Sequence, residues 1–311
     1  MKSAQIYTGF VSAQLVLNET ADLAQFATEM GCFLPGGWQL EKGTKNQKQT
    51  IIEVTTLKPG LLPSLKITKN NKFALQIDSS TINSRLPFIT YTILERDRQL
   101  AGMATVHGSA AVAPKGVGIL ILGDKGSGKT NTLLALLKQQ CLPAGDDIIV
   151  LKLDNKCIVK LRPGKRVASV RGSNIKGGKS FYEIKRHISL SNLNFLESDT
   201  PLALVVRVNV HSDCSCPNMQ CISNASTVER LRLHENIGRY ISGLPTPLVI
   251  NKTFSFCPIL PLDTNETALF RSRLVSSLIK LPFYYLEVRT ADEAATAILN
   301  LVRLVKGKKN K

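Results

Sequence analysis

Strand-sized apolar runs broken by turn residues dominate the first hundred positions. Segments 51–57 (IIEVTTL), 65–69 (LKITK) and 72–78 (KFALQID) have strand composition, and Pro-Gly and Asn-Asn pairs separate them. The period then changes. From Ser80, a helix-capping residue type, an apolar stripe runs through Leu86, Ile89 and Ile93, with Pro87 expected in an early turn or at a kink. Residues 104–113 (ATVHGSAAVA) read as one buried strand.

An α/β alternation follows. The run 116–123 (GVGILILG) is continuously apolar, as in the middle of a sheet, and the helical KTNTLLALLKQQ comes after a short loop. Strands are expected at 147–153, 156–161 and 201–210, and helices at 226–242 and 266–280. FYYLEVR and ADEAATAILNLVRLV close the chain as a strand–helix unit before the tail KGKKNK, expected to be disordered. The fold class expected is therefore α/β with an N-terminal α+β region. The domains expected are 1–103, which recognises substrate or packs on the core, 104–305, and a basic tail at 306–311.

The totals narrow the choice of function. At 43% hydrophobic the chain can bury a substantial core, and no apolar run approaches the ~18–20 residues of a membrane span. The opening MKSAQIYTGFVSAQ has no apolar leader pattern, so a soluble, cytoplasmic protein is expected. Seven cysteines, four of them scattered, suit a reduced protein rather than a disulfide scaffold. A net charge of +17 favours an anionic partner, whether acidic peptide or protein, phosphorylated metabolite or RNA; homo-oligomers are compatible with it.

Residues 123–130 read GDKGSGKT, which is Gly123, four residues, Gly128, Lys129 and Thr130. Glycines at this spacing let backbone N–H groups turn toward phosphate oxygens, and the following helix adds its positive end. Lys129 is expected to reach the β and γ phosphates and the Thr130 hydroxyl to hold Mg2+. The expected nucleotide-binding residues are Gly123, Asp124, Lys125, Gly126, Ser127, Gly128, Lys129, Thr130 and Asn131. An apolar strand before the string and an amphipathic helix after it give the required context.

P-loop ATPases and GTPases carry an acidic residue at the end of a second apolar strand. Neither 201–210 nor 283–289 ends on one, and NKTF at 251–254 lacks the Asp of a guanine-reading string. The acidic residues at a set distance are Asp146 and Asp147, the first of them 16 positions beyond Thr130. Two adjacent carboxylates near a γ-phosphate can divide the work of phosphorylating a hydroxyl. One holds Mg2+, and the other orients or deprotonates the acceptor.

With these residues in place, VHGSAAVAPKGVGILILGDKGSGKT…GDD resembles the kinase core of the HPr kinase/phosphorylase group. That group shares a P-loop variant with phosphoenolpyruvate carboxykinase. Its members carry a His on the strand before the loop, the Gly-rich string, a helix and a tandem Asp pair. His107, Gly123–Thr130 and Asp146–Asp147 fall in those places. The resemblance covers residues 104–175 and implies a P-loop kinase core over 104–305, with ATP and Mg2+ as cofactors. It implies metal binding by Thr130, Asp146 and Asp147, and a base role for one Asp of the pair, which one remaining open. His107 lines that site or is a satisfied strand-end histidine. The family follows its Asp pair with Leu-Glu-Ile-Arg-Gly, whose Glu helps hold the metal. Here Arg171 and Gly172 match, while Ser169 stands in place of the Glu, and an acceptor other than HPr fits that departure better.

Lys156 to Arg186 is dense in Lys and Arg, with Gly172, Gly177 and Gly178 among them. A cationic, glycine-containing loop here can serve as a lid over triphosphate and acceptor, with Arg171 as a transition-state clamp. A solvated basic loop would have the same composition. His211, Cys214, Cys216 and Cys221 are zinc-competent types at a spacing no standard zinc site uses, so both a knuckle and unliganded loop cysteines stay open. The catalytic set expected is Asp146, Asp147, Lys129, Arg171 and His107, in an ATP-dependent kinase acting on an alcohol group of a protein, peptide or small molecule. A nucleic-acid kinase or ATPase and a non-catalytic nucleotide-binding module are the alternatives.

Overall fold

The computed structural model describes residues 2–7, 11–17, 39–42, 50–58, 61, 64–68, 71–79, 82–114, 116–171, 185–241 and 262–307. The chain is mixed α/β with several sheets and divides into two compact units. One comprises Met1–Gly102 with Ile237–Arg271, the other Met103–Asn236 with Ser272–Lys311. Residues 237–271 thus group with the first unit.

In the first unit, β1 (Lys2–Tyr7), β2 (Ser12–Leu17), β3 (Gln39–Lys42), β4 (Thr50–Leu57), β5 (Ser64–Ile67) and β6 (Lys72–Asp78) form one sheet in the order β3-β1-β2-β4-β6-β5. Alternation places Leu15, Leu17, Ile52, Val54, Phe73, Leu75 and Ile77 in its core. Helix α1 (Ile82–Leu100) packs on β6 and buries Leu86, Ile89, Ile93 and Leu94, and it runs on through Pro87. Ser80, its expected cap, lies outside the described residues. Thr50 Oγ1 donates to Asp97 Oδ2 at 2.6 Å, tying β4 to α1. A buried polar chain crosses this unit. Glu95 accepts from Arg98 and Gln99, and Gln99 accepts from Arg271, which also binds both carboxylate oxygens of Asp263.

The second unit is built on a nine-stranded sheet. Its path is β10 (Leu142–Asp146), β8 (Ser109–Ala113), β9 (Val117–Leu122), β15 (Thr200–Val210), β12 (Val159–Arg162), β11 (Ile149–Leu153) and β7 (Met103–Val106). β17 (Phe283–Val288) lies parallel to β15, and β16 (Asn218–Cys221) pairs antiparallel with β17. Every residue of β9 is buried, in accord with its unbroken apolar run. Helices α2 (Lys129–Lys138) and α5 (Ala291–Gly307) pack on each other and against the sheet, α5 burying Ala294, Ala295, Ile298, Leu301 and Val302 at helical spacing. Helices α3 (Thr227–Gly238) and α4 (Asn265–Leu278) and the hairpin of β13 (Val167–Arg171) and β14 (Lys185–Ser189) complete the elements.

Three expectations are corrected. The run 104–113 is two strands, not one, and they are not neighbours in the sheet. The chain turns at His107–Gly108, where a Cβ on Gly108 would come within 2.7 Å of the Ile121 carbonyl oxygen. The strand expected from 147 starts at Ile149, because Asp147 adopts φ 67, while Asp146 ends the unexpected strand β10. The basic stretch expected as a loop is partly the hairpin β13–β14, and 172–184 lie outside the described residues. Among the described residues, no helix is long and apolar enough to cross a membrane.

Candidate functional site

The chain leaves β9 at Leu122, turns through Gly123–Gly128 and enters α2 at Lys129. Gly128 caps the helix with φ 88, and a Cβ there would stand 2.7 Å from Val210 Cβ, so backbone and space both require glycine. Strand β15 buttresses the turn, Val210 N–H donating to the Ser127 carbonyl at 3.0 Å. Lys129 is buried, and its Nζ reaches back over the loop to the carbonyls of Gly123 and Asp124, 2.9 Å each. Asp124, Lys125, Gly126 and Asn131 are exposed. Ser127 is buried, and its Oγ has no hydrogen-bond partner among the described residues. A buried, unpaired hydroxyl inside a glycine turn, beside a cation at a helix N-terminus, fits an oxyanion ligand.

On the flank of the loop toward β8 and β10 stand the paired carboxylates. Thr130 Oγ1 lies 3.1 Å from each oxygen of Asp146, and its single proton can serve one of them at a time. Asp146 also accepts from Ser109 Oγ at 2.5 Å and from the Ser169 amide at 3.3 Å, and it is 1% exposed. Burial raises its pKa above the ordinary carboxylate value. The charge of Asp147 acts in the same direction, against the hydrogen bonds from Ser109, Thr130 and Ser169.

Asp147 has different surroundings. Its positive φ turns it out of the line of β10, and its side chain is 44% exposed. His107 Nδ1 is 3.0 Å from Asp147 Oδ1 and 3.1 Å from its carbonyl, and the buried Lys165 Nζ is 3.6 Å from Oδ2. His107 sits in the β7–β8 turn rather than on the strand leading to the loop. Asn236 of α3 holds that turn by both backbone groups, accepting from His107 N–H at 2.7 Å and donating to its carbonyl at 2.9 Å.

The structure thus brings Lys129, Thr130, Asp146, Asp147 and His107 to one place. Arg171 ends β13 opposite Lys185, and its side chain lies outside the described residues. Ser109, Lys165, Ser169, His187 and Asn236 join the site without having been singled out for it by sequence as ligand or base. Ser109, Ser169 and His187 arrive through strand pairing, Asn236 from a distant helix, and Lys165 from the segment between β12 and β13; of these the sequence marks only Ser169, as standing in place of a Glu.

The cysteine cluster does not converge. His211 Nε2 pairs with Glu287 at 2.8 Å, Cys214 is buried with its thiol on the Cys216 carbonyl, and Cys216 and Cys221 are exposed. Among the described residues, no group of three or more His, Cys, Asp or Glu is arranged to hold a metal ion. Cys141, just past the end of α2, has its thiol pushed up to about 11 by burial. NKTF at 251–254 lies outside the described residues.

No protein-family model matches the chain, and no curated protein matches it. Among solved structures, the HPr(Ser) kinase/phosphatase from Coxiella burnetii is similar at 20% identity over 38% of this chain and 76% of that one, with a TM-score of 0.27. The α/β fold is compatible with nucleotide binding, and at that slight likeness the chemistry has to come from the site itself.

Proposed function

We propose that the second unit is a phosphotransferase that moves the γ-phosphoryl group of ATP to a hydroxyl. The observation that carries this reading is the contact between the loop hydroxyl of Thr130 and the carboxylate of Asp146, with a second carboxylate directly following. A phosphate-binding turn alone suits many functions. A turn joined to paired carboxylates with unlike surroundings suits transfer to an acceptor.

The loop 123–130 binds the phosphates, with Lys129 moving from the Gly123 and Asp124 carbonyls to phosphate oxygens. Thr130 and Asp146 are the residues that would hold Mg2+, which when bound neutralises charge on the β and γ oxygens. Burial of Asp146 keeps that pair dry and lowers the screening of its charge. Asp147, half-exposed and fixed by His107 and Lys165, orients the acceptor hydroxyl and takes its proton. The excess of Lys and Arg favours an anionic acceptor.

The test is incubation with γ-labelled ATP, Mg2+ and extract, using wild type, Asp146→Asn, Asp147→Asn and Lys129→Ala. Label passing to protein or metabolite in wild type alone is the expected result. Entry into RNA would identify nucleic acid as the acceptor. Full transfer by both Asp variants would overturn the reading.

A further inference from the structure

We propose that Ser169 is itself a phosphoryl acceptor of this site, with His187 as its base; the proposal rests on the phosphotransferase reading above. Ser169 and His187 face each other as direct partners on β13 and β14, and Ser169 Oγ lies 3.1 Å from His187 Nδ1. A hydroxyl within hydrogen-bond reach of an imidazole is the pairing that activates a serine as nucleophile. The backbone of the same residue reaches the candidate metal carboxylate, its N–H donating to Asp146 Oδ2 at 3.3 Å. That carboxylate is the one Thr130 touches at 3.1 Å. Ser169 therefore carries an activated hydroxyl on a strand anchored to the group beside which the γ-phosphate is bound.

A purely structural role explains the pair poorly. The bond is exposed, and the hairpin is already held by the β13–β14 pairing and by its packing on β10 and α2, so one polar cross-strand contact adds little. The surroundings suit the product better. Lys165 Nζ, 3.6 Å from Asp147 Oδ2, puts a cation in the site that a phosphoserine dianion would share.

The step balances without any further reactant. With His187 neutral and protonated on Nε2, its Nδ1 accepts the hydroxyl proton as Ser169 Oγ forms the new bond to the γ-phosphorus. The bond from that phosphorus to the β,γ-bridging oxygen breaks, and nucleoside diphosphate leaves with the electron pair. Imidazole then releases the proton to solvent.

The experiment uses the full chain, dephosphorylated and then incubated with Mg-ATP, with intact-mass and phosphopeptide readouts and ATP affinity measured in parallel. One phosphate on Ser169 is expected, at a rate independent of protein concentration because acceptor and site share a chain. Ser169→Ala should abolish it, His187→Ala should slow it about 100-fold, and both should bind ATP as wild type does. Binding of ATP with Ser169 left unmodified, labelling elsewhere only, a rate proportional to protein concentration, or persistence of the phosphate in Lys129→Ala would each overturn the proposal. Failure of wild type to bind ATP would instead remove the phosphotransferase reading beneath it. Site mapping on wild type keeps the test independent of how any variant folds.

Discussion

Thr130 and Asp146 meet beside the glycine turn, one hydroxyl against two carboxylate oxygens at 3.1 Å each. In the reading given above both hold the same Mg2+. Loss of a partner one shell out from a metal costs about 10–100-fold in affinity. Thr130→Ala is therefore expected to raise the Mg2+ concentration needed for half-maximal transfer by about 100-fold or more. An unchanged Mg2+ titration would sink the assignment.

The same burial has a consequence for stability. Asp146 has its pKa raised above 3.8, chiefly by burial, so the folded protein binds a proton there more readily than the unfolded chain. Its contribution to stability is complete below 3.8 and declines as pH rises through the raised value. At neutral pH the folded state therefore carries a penalty that Asn would not. Asp146→Asn is expected to melt above wild type at pH 7, each kcal/mol gained being about 2–4 °C. The two curves should converge toward pH 4, and a variant that melts below wild type at pH 7 would contradict this account.

Two glycines with similar φ separate function from strain. Gly128 (φ 88) would place a Cβ against Val210, whereas Gly116 (φ 77) would meet nothing within 4 Å. Gly116→Ala should cost about 1 kcal/mol from backbone strain alone, with ATP binding intact. Gly128→Ala should cost more and should weaken ATP binding at least about tenfold, since the turn must shift. Calorimetric titration of both proteins distinguishes the two effects.

Asn236 touches neither proposed reactant, yet it fixes the turn that carries His107. Asn236→Ala leaves two backbone groups unpaired, an expected cost of about 1–3 kcal/mol by urea denaturation. Its kinetic mark should be a lower kcat at an unchanged KM for ATP, because the displaced contact lies on the acceptor side. A change confined to KM would place His107 elsewhere in the mechanism.

Within the core, Arg207 of β15 is held by Glu229 of α3 through bonds of 3.0 and 2.7 Å, and both are buried. Glu229→Ala strands a buried cation and should cost about 3–5 kcal/mol. Replacing both partners with Met and Leu should cost much less. Equal losses in the single and double variants would show that packing, not charge, governs the position.

What the sequence made legible was local. The strand of β9, the glycine turn and α2 are written in one continuous stretch, because each depends on neighbours along the chain. The apolar runs of β15 and β17 and the helical stripe of α5 are read in the same way. The break at His107–Gly108 was not legible, since it follows from the approach of the Ile121 carbonyl on another strand. Strand β10 was missed because LPAGD carries a Pro and a Gly, and its pairing with β8 supplies what its own propensity lacks. Ser109, Asn236 and His187 reach the site across 37, 129 and 18 residues of chain, counted to Asp146, His107 and Ser169 respectively. No spacing rule spans such separations.

Asp147 occupies a backbone conformation that glycine or asparagine would hold with less strain, and Asp146 a burial that a neutral side chain would tolerate better. A laboratory selection for heat resistance alone would therefore favour substitutions at these two adjacent positions. A variant library scored both for melting temperature and for phosphoryl transfer should show the two rankings running in opposite directions there, and independently over most of the remaining surface. The opposition of the two rankings would then mark where along the chain stability is given up for chemistry.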